Sequence, residues 1–153
     1  MYSILLPLHS SFRWLVLISL LSSIYISWRG YNYNKPFGAS ENSLRHWTAT
    51  ILHVQLMIGM LLYFQSPVVK FSSGHNVQAL FSPQVFFKYI HLALMILATV
   101  LVTIGSAKAK RMDTAAKKYK TMLVWFIIAL LVIFVAIPWP FSPLATRPFT
   151  RAF

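Results

Sequence analysis

The 153-residue chain is 58% hydrophobic and only 10% charged, whereas a soluble domain carries roughly a quarter charged residues. This composition excludes a surface that mostly faces water. The absence of cysteine excludes disulfides, thiolate metal sites and covalent c-type haem attachment. The net charge of +12 resides in short segments between apolar runs, a distribution typical of membrane orientation signals rather than of nucleic-acid binding.

Four apolar stretches each approach the roughly 20 residues that cross a ~30 Å hydrocarbon core. They run over about Ile4–Trp28, Leu44–Phe64, Val85–Ser106 and Thr121–Ile137. Because lipid cannot satisfy backbone hydrogen bonds, such segments must be helical. The sequence therefore predicts an all-α integral membrane four-helix bundle, with residues 1–153 forming one transmembrane domain.

The connecting segments carry turn-forming and basic residues. The second connector, Ser66–Ser82, places His75 in a polar loop and predicts a short surface helix around Val77–Phe81. The third connector, Ala107–Lys120, is rich in lysine. Three prolines, Pro138, Pro140 and Pro143, are expected to end the fourth helix.

Basic residues are divided unevenly between the two sides of the predicted bundle. Nine lie at the first and third connectors: Arg29, Lys35, Arg45, Lys108, Lys110, Arg111, Lys117, Lys118 and Lys120. Four lie on the other side: Lys70, Lys88, Arg147 and Arg151. Cytoplasmic loops carry an excess of Lys and Arg, so this division predicts an N-out, C-out orientation.

Six ionisable side chains fall within the predicted spans: His9, Arg13, His46, His53, Lys88 and His91. Such groups are costly in lipid and usually face the bundle interior, which makes them the candidate functional residues. His46, beside Arg45 and Trp47, is expected at the membrane interface. Neither of the two acids lies within a span, which argues against a carboxylate proton relay.

Histidines on different helices can bind one iron, because neutral imidazole is a common ligand of b-type haem and of other metals. At about 1.5 Å per residue, His9 and His91 lie about 7 and 9 Å below the outer boundary, and His53 lies about 17 Å below it. Both axial nitrogens of a haem must lie at nearly one level. This favours His9 with His91 as the axial pair and leaves His53 with His91 as the alternative. His46 and His53 are excluded as a pair, because they project from one side of one helix and cannot bind opposite faces of an iron.

Neighbouring side chains extend these candidate sites. Arg13 follows His9 by four residues and leans back towards its level, so it could bind a haem propionate or a lipid phosphate. Lys88 and Met95 are expected on the helical face of His91. Small residues continue this face and would let a helix or a flat macrocycle come close: Ala98 and Gly105.

The chain resembles small bacterial membrane proteins labelled cytochrome b or cytochrome b-like over essentially its whole length, in the elements LLPLHSSFRW, RHWTATILHVQLMIG, FFKYIHLALM and KTMLVWFIIALLVIFVAIPWPFSPLA. This resemblance implies haem b held by histidines, with His9, His53 and His91 at the matching positions, in a bacterial inner membrane. The chain has a looser likeness to the four-helix, haem-associated protoporphyrinogen oxidases of bacteria, which also carry a histidine early in helix one and a Lys on helix three. His9 and Lys88 would be the counterparts of these two residues. The spacing around Lys88 departs from that family's pattern, so the enzymatic activity is not carried over.

The leading hypothesis is a b-type cytochrome-like protein that binds one haem and transfers electrons to or from quinone or a partner subunit. Its predicted cofactor-binding residues are His9, Arg13, His53, Lys88 and His91, with His91 the favoured iron ligand. The alternatives are a cofactor-free accessory subunit of a membrane complex, a porphyrin or quinone oxidoreductase, and a copper-handling protein using His53, Met57 and Met60. Expected partners are the lipid bilayer, a redox partner, and further copies or a larger complex; nucleic acid is not expected.

Overall fold

The computed structural model describes residues 1–70, 82–142 and 147–149. Within these ranges the chain forms helices and no strand. The helices are α1 (Tyr2–Asn32), α2 (Ala39–Gln65), the short α3 (Pro67–Lys70) and α4 (Pro83–Val85), a π-helical segment (Phe86–Ile90), α5 (His91–Arg111) and α6 (Ala115–Ala136). The predicted surface helix around Val77–Phe81 and the predicted loop position of His75 lie outside the described residues.

Four of these helices are long and apolar enough to cross a membrane: α1, α2, α5 with its π-helical segment, and α6. The prediction of an all-α, multi-pass membrane fold is confirmed. The helices extend beyond the predicted spans, so that residues 112–114 alone separate α5 from α6. Lys and Arg are good helix formers, and the basic residues that end an apolar run therefore do not end the helix.

The four long helices form a ring in which each packs against two neighbours. α1 contacts α2 and α6, and α5 contacts the same two helices. α1 and α5 therefore lie diagonally across the bundle. Side chains from these two helices can meet in the interior, with α2 and α6 closing the sides.

Close packing fills the half of the bundle that contains the basic connectors. Gly105 lets α5 approach α6 so closely that a Cβ at this position would overlap Trp125. The small-residue face of α5 thus packs against a helix. Tyr119 is buried in the space that a side chain at Gly30 would fill, and its hydroxyl donates to the Pro36 carbonyl at 2.8 Å. These contacts pack α1, α5 and α6 closely together at this end.

Polar contacts join the helices in the same half of the bundle. The hydroxyls of Ser23 and Thr48 are 2.7 Å apart and link α1 to α2. The buried Arg45 guanidinium donates to the Ser106 carbonyl at 3.0 Å and so links α2 to α5. In a membrane such interhelical hydrogen bonds typically contribute about 0.6 kcal/mol each, so packing carries most of the stability.

Candidate functional site

A cavity of about 290 Å³ lies at the opposite end of the bundle, where α1 begins and α6 ends. We call this end of the bundle the cavity end. Its volume is at the low end of the roughly 300–1,000 Å³ of ligand pockets. All four long helices contribute to its walls. Apart from apolar side chains, it is lined by polar groups that include two imidazoles, two guanidinium groups and an amide: His9, His91, Arg13, Arg147 and Gln55.

The two histidines come from the diagonal helices α1 and α5 and meet across the cavity. Their ring centroids are 6.3 Å apart and their planes are inclined at 75°. The structure therefore brings together the pair that the depth argument favoured. Whether this pair binds iron stays a prediction.

The His91 ring is oriented by a backbone carbonyl that the end of α6 leaves free. Its Nδ1 donates to the carbonyl oxygen of Ala136 at 2.8 Å, which leaves Nε2 as the nitrogen with a lone pair. Pro138 forces the preceding Ile137 into extended backbone (ψ 127°), so the helix ends there. Pro140 has no N–H that could bond to the Ala136 carbonyl. The prolines therefore make this acceptor available to His91.

A π-helical turn at the start of the third span determines which residues share the face of His91. The His91 N–H donates to the Phe86 carbonyl, five residues earlier. Phe86 and Phe87 consequently lie beside the imidazole, with centroids at 5.8 and 6.0 Å. Lys88 does not line the cavity, and its Nζ lies over the Tyr89 ring, 5.5 Å from the centroid. The prediction that Lys88 and His91 lie on one helical face was wrong, because an α-helical spacing does not hold through a π-helical turn.

The His9 ring is held between α1 and α2. Nε2 of Gln55 donates to the His9 carbonyl at 3.0 Å and lies 3.4 Å from His9 Nε2. The ring packs against Gly59, where a Cβ would approach His9 Cε1 to 3.1 Å. Gly59 therefore provides the space in which the imidazole lies.

Arg13 connects the cavity to the C-terminal segment. Its guanidinium donates to the Phe149 carbonyl and lies over Trp139, 5.8 Å from the ring centroid. The Trp139 indole N–H in turn donates to the carbonyl of Phe134 at 2.9 Å. Arg13 thus fixes residues 147–149 against the mouth of the cavity.

Buried polar atoms without a hydrogen bond concentrate in this cavity. Among the described residues, four buried side-chain atoms lack a partner, and three of them belong to cavity-lining residues: His9 Nδ1, Arg13 Nε and Gln55 Oε1. Buried polar groups are nearly always satisfied, and exceptions call for an explanation. A polar ligand bound in the cavity would provide one.

The remaining predicted site residues lie elsewhere. His53 is exposed on the outer face of α2, where its Nδ1 donates to Ala49 O at 2.7 Å and its Nε2 is 3.3 Å from the Thr103 hydroxyl. It does not line the cavity, and the structure does not bring it to His91. Met57 is exposed on the same outer face, whereas Met60 lines the cavity. The three proposed copper ligands therefore do not share one pocket.

Gln55 and Arg147 line the cavity but were not among the predicted cofactor-binding residues. Gln55 is an amide within an apolar span, and that polarity was the signal that could have identified it. Arg147 lies far along the chain in a proline-rich tail, and its place in the cavity is known only from the structure. His46 is exposed and lies beside Trp47, with centroids 6.1 Å apart, consistent with an interfacial residue.

No protein-family model, curated protein or solved structure matches this chain. The candidate site is therefore defined by its own geometry.

Proposed function

We propose that this protein is a b-type cytochrome-like membrane protein that binds one haem b between His9 and His91 and transfers single electrons. The distance between the two imidazoles carries the proposal. An imidazole nitrogen binds a metal at about 2.0–2.1 Å, and the ring centroid lies about 1.1 Å further away, so two trans imidazoles have centroids about 6.3 Å apart. The observed separation is 6.3 Å.

The donor set supports a macrocycle rather than a metal held by protein alone. Within the described residues, no three His, Cys, Asp or Glu side chains lie close enough to bind a metal ion together. Structural and catalytic zinc sites use three or four protein ligands. Two imidazoles suffice for haem, in which the porphyrin supplies the other four nitrogens. Met60 and Met95 line the cavity, and their flexible side chains can repack around a flat macrocycle.

The protein's own groups have separate roles in this proposal. Haem supplies one-electron oxidation and reduction at iron. The hydrogen bond from His91 to Ala136 fixes the imidazole orientation and makes it a stronger donor. Arg13 provides a cation for a propionate. Apolar residues exclude water, which favours electron transfer over reactions with solvent.

The cellular setting belongs to the same proposal. We place the protein in a bacterial inner membrane with both termini outside, as the distribution of basic residues indicates. The cavity end then faces the periplasm. A quinone or a redox subunit is the partner class that fits one-electron chemistry within a membrane.

Single-histidine variants test the proposal. His9→Ala and His91→Ala should each abolish the low-spin haem spectrum, because a six-coordinate iron needs both imidazoles. His53→Ala is the matched control, since this histidine lies at a helix surface outside the cavity, and its spectrum should equal that of the wild type. Loss of low-spin haem in His53→Ala with retention in His9→Ala would contradict the assignment of the axial pair.

A further inference from the structure

The cavity has a charge imbalance that the iron ligands do not explain. Arg13 and Arg147 both line it. The whole sequence contains only two acidic side chains, Glu41 and Asp113. Glu41 accepts a hydrogen bond from the backbone N–H of Gly38, and Asp113 pairs with Lys117, both at the opposite end of the bundle. No carboxylate side chain of this chain can therefore neutralise the two guanidinium groups.

The two arginines are close together because residues 147–149 lie against the cavity. Arg13 donates to the carbonyl of Phe149, two residues beyond Arg147. Two residues span at most about 7 Å, so the backbone of Arg147 lies near the Arg13 guanidinium. The Arg147 side chain lies over Phe87, 5.1 Å from the ring centroid, and Phe87 in turn contacts His91. Both cations are thus next to the histidine pair.

The Arg13 guanidinium also retains a free donor. Its Nε is buried and has no hydrogen-bond partner, although one terminal nitrogen binds the tail. A guanidinium offers five N–H donors in a planar fork that matches a carboxylate. A buried unpaired donor beside a second cation is a favourable position for an anionic group.

We propose that Arg13 and Arg147 together form an anion site for carboxylate substituents of the cavity's ligand. The inference rests on the proposed function and deepens it: the ligand is an acidic porphyrin, and a neutral quinone or esterified macrocycle binds less well. It also assigns a role to the C-terminal segment, which contributes one of the two cations.

Porphyrin titration tests the proposal. Purified apoprotein in a neutral detergent is titrated with iron protoporphyrin IX and with its dimethyl ester, which lacks both carboxylates, and binding is followed by the Soret band. The wild type should bind the diacid roughly 10- to 100-fold more tightly, the range expected for hydrogen bonds to a charged group. Arg147→Gln should lose part of this preference, and Arg13→Gln/Arg147→Gln should lose nearly all of it.

Lys88→Gln is the matched control, because it removes one cation from the cavity end without touching the cavity. It should retain the full preference, and all arginine variants that bind haem should keep the low-spin spectrum, since both axial histidines remain. Equal affinity of the wild type for the diacid and the ester would overturn the anion site alone. Binding of neither porphyrin would overturn the proposed function together with it. Displacement of the diacid by phosphatidylglycerol but not by phosphatidylcholine would assign the pair to an anionic lipid and also overturn the proposal.

Discussion

Gly59 offers a graded perturbation of His9 without changing its chemistry. A Cβ at this position would lie 3.1 Å from His9 Cε1 and 3.5 Å from Nδ1, whereas non-bonded carbon atoms are most stable at about 3.5–4.0 Å. Gly59→Ala should therefore displace the imidazole by about half an ångström, and Gly59→Leu by more. Overpacking of this kind costs roughly 1–3 kcal/mol, which corresponds to about a 5- to 150-fold weaker His9–iron bond if the ring absorbs the strain.

The assay is the low-spin fraction of ferric haem in purified variants, measured by absorption and by electron paramagnetic resonance. Gly59→Ala should lower it in part, and Gly59→Leu should remove most of it. Gly38→Ala is the matched control, because its Cβ meets Glu41 Oε2 at a similar 3.3 Å but at the opposite end of the bundle. A wild-type spectrum in Gly59→Leu, with haem bound, would refute the placement of His9 as a ligand.

Three further predictions concern the end of α6, the packing of the bundle and its orientation. Pro138→Ala/Pro140→Ala should let α6 continue and supply an N–H to the Ala136 carbonyl, which would then no longer accept from His91. Loss of this hydrogen bond, worth about 0.5–1.5 kcal/mol, should raise the reduction potential of the haem by roughly 20–65 mV. Pro138→Ala alone should not raise it, because position 140 still lacks an N–H. Gly105→Leu should lower the thermal midpoint in detergent through an overpacking cost of about 1–3 kcal/mol, while any folded protein keeps the wild-type spectrum; an unchanged midpoint would refute the tight α5–α6 contact. Reporter fusions at Lys35 and Lys117 should be cytoplasmic and a C-terminal fusion periplasmic, and a cytoplasmic C-terminus would contradict the predicted orientation.

The span count and the meeting of His9 with His91 could be predicted because both depend on length along a helix. α1 and the third span enter the membrane from the same side, and both begin two residues earlier than predicted, so both depths change by the same amount. α1 begins at Tyr2 rather than near Ile4, and the third helical run begins at Pro83 rather than Val85. The 1.5 Å rise per residue then places the two rings at one level.

The rotation of each helix about its axis could not be predicted. Gln55 and His53 are both polar residues within the apolar half of α2, so their polarity marks both as candidates but does not tell which one faces the cavity. No pattern in the sequence indicates the π-helical turn before His91. Because of this turn, Phe87 rather than Lys88 lines the cavity. Arg147 lies at the site, where the Arg13 guanidinium binds the nearby Phe149 carbonyl. These features arise from packing between distant segments.

The central claim is that this protein binds haem b, and one spectrum of the wild type tests it most directly. The protein should be purified from haem-replete cells and its visible absorption recorded oxidised and after reduction with dithionite. We predict a Soret band, sharp α and β bands on reduction, and one haem per chain. A pure, folded protein without a Soret band would contradict the proposal and leave His9 and His91 as a polar pair between α1 and α5.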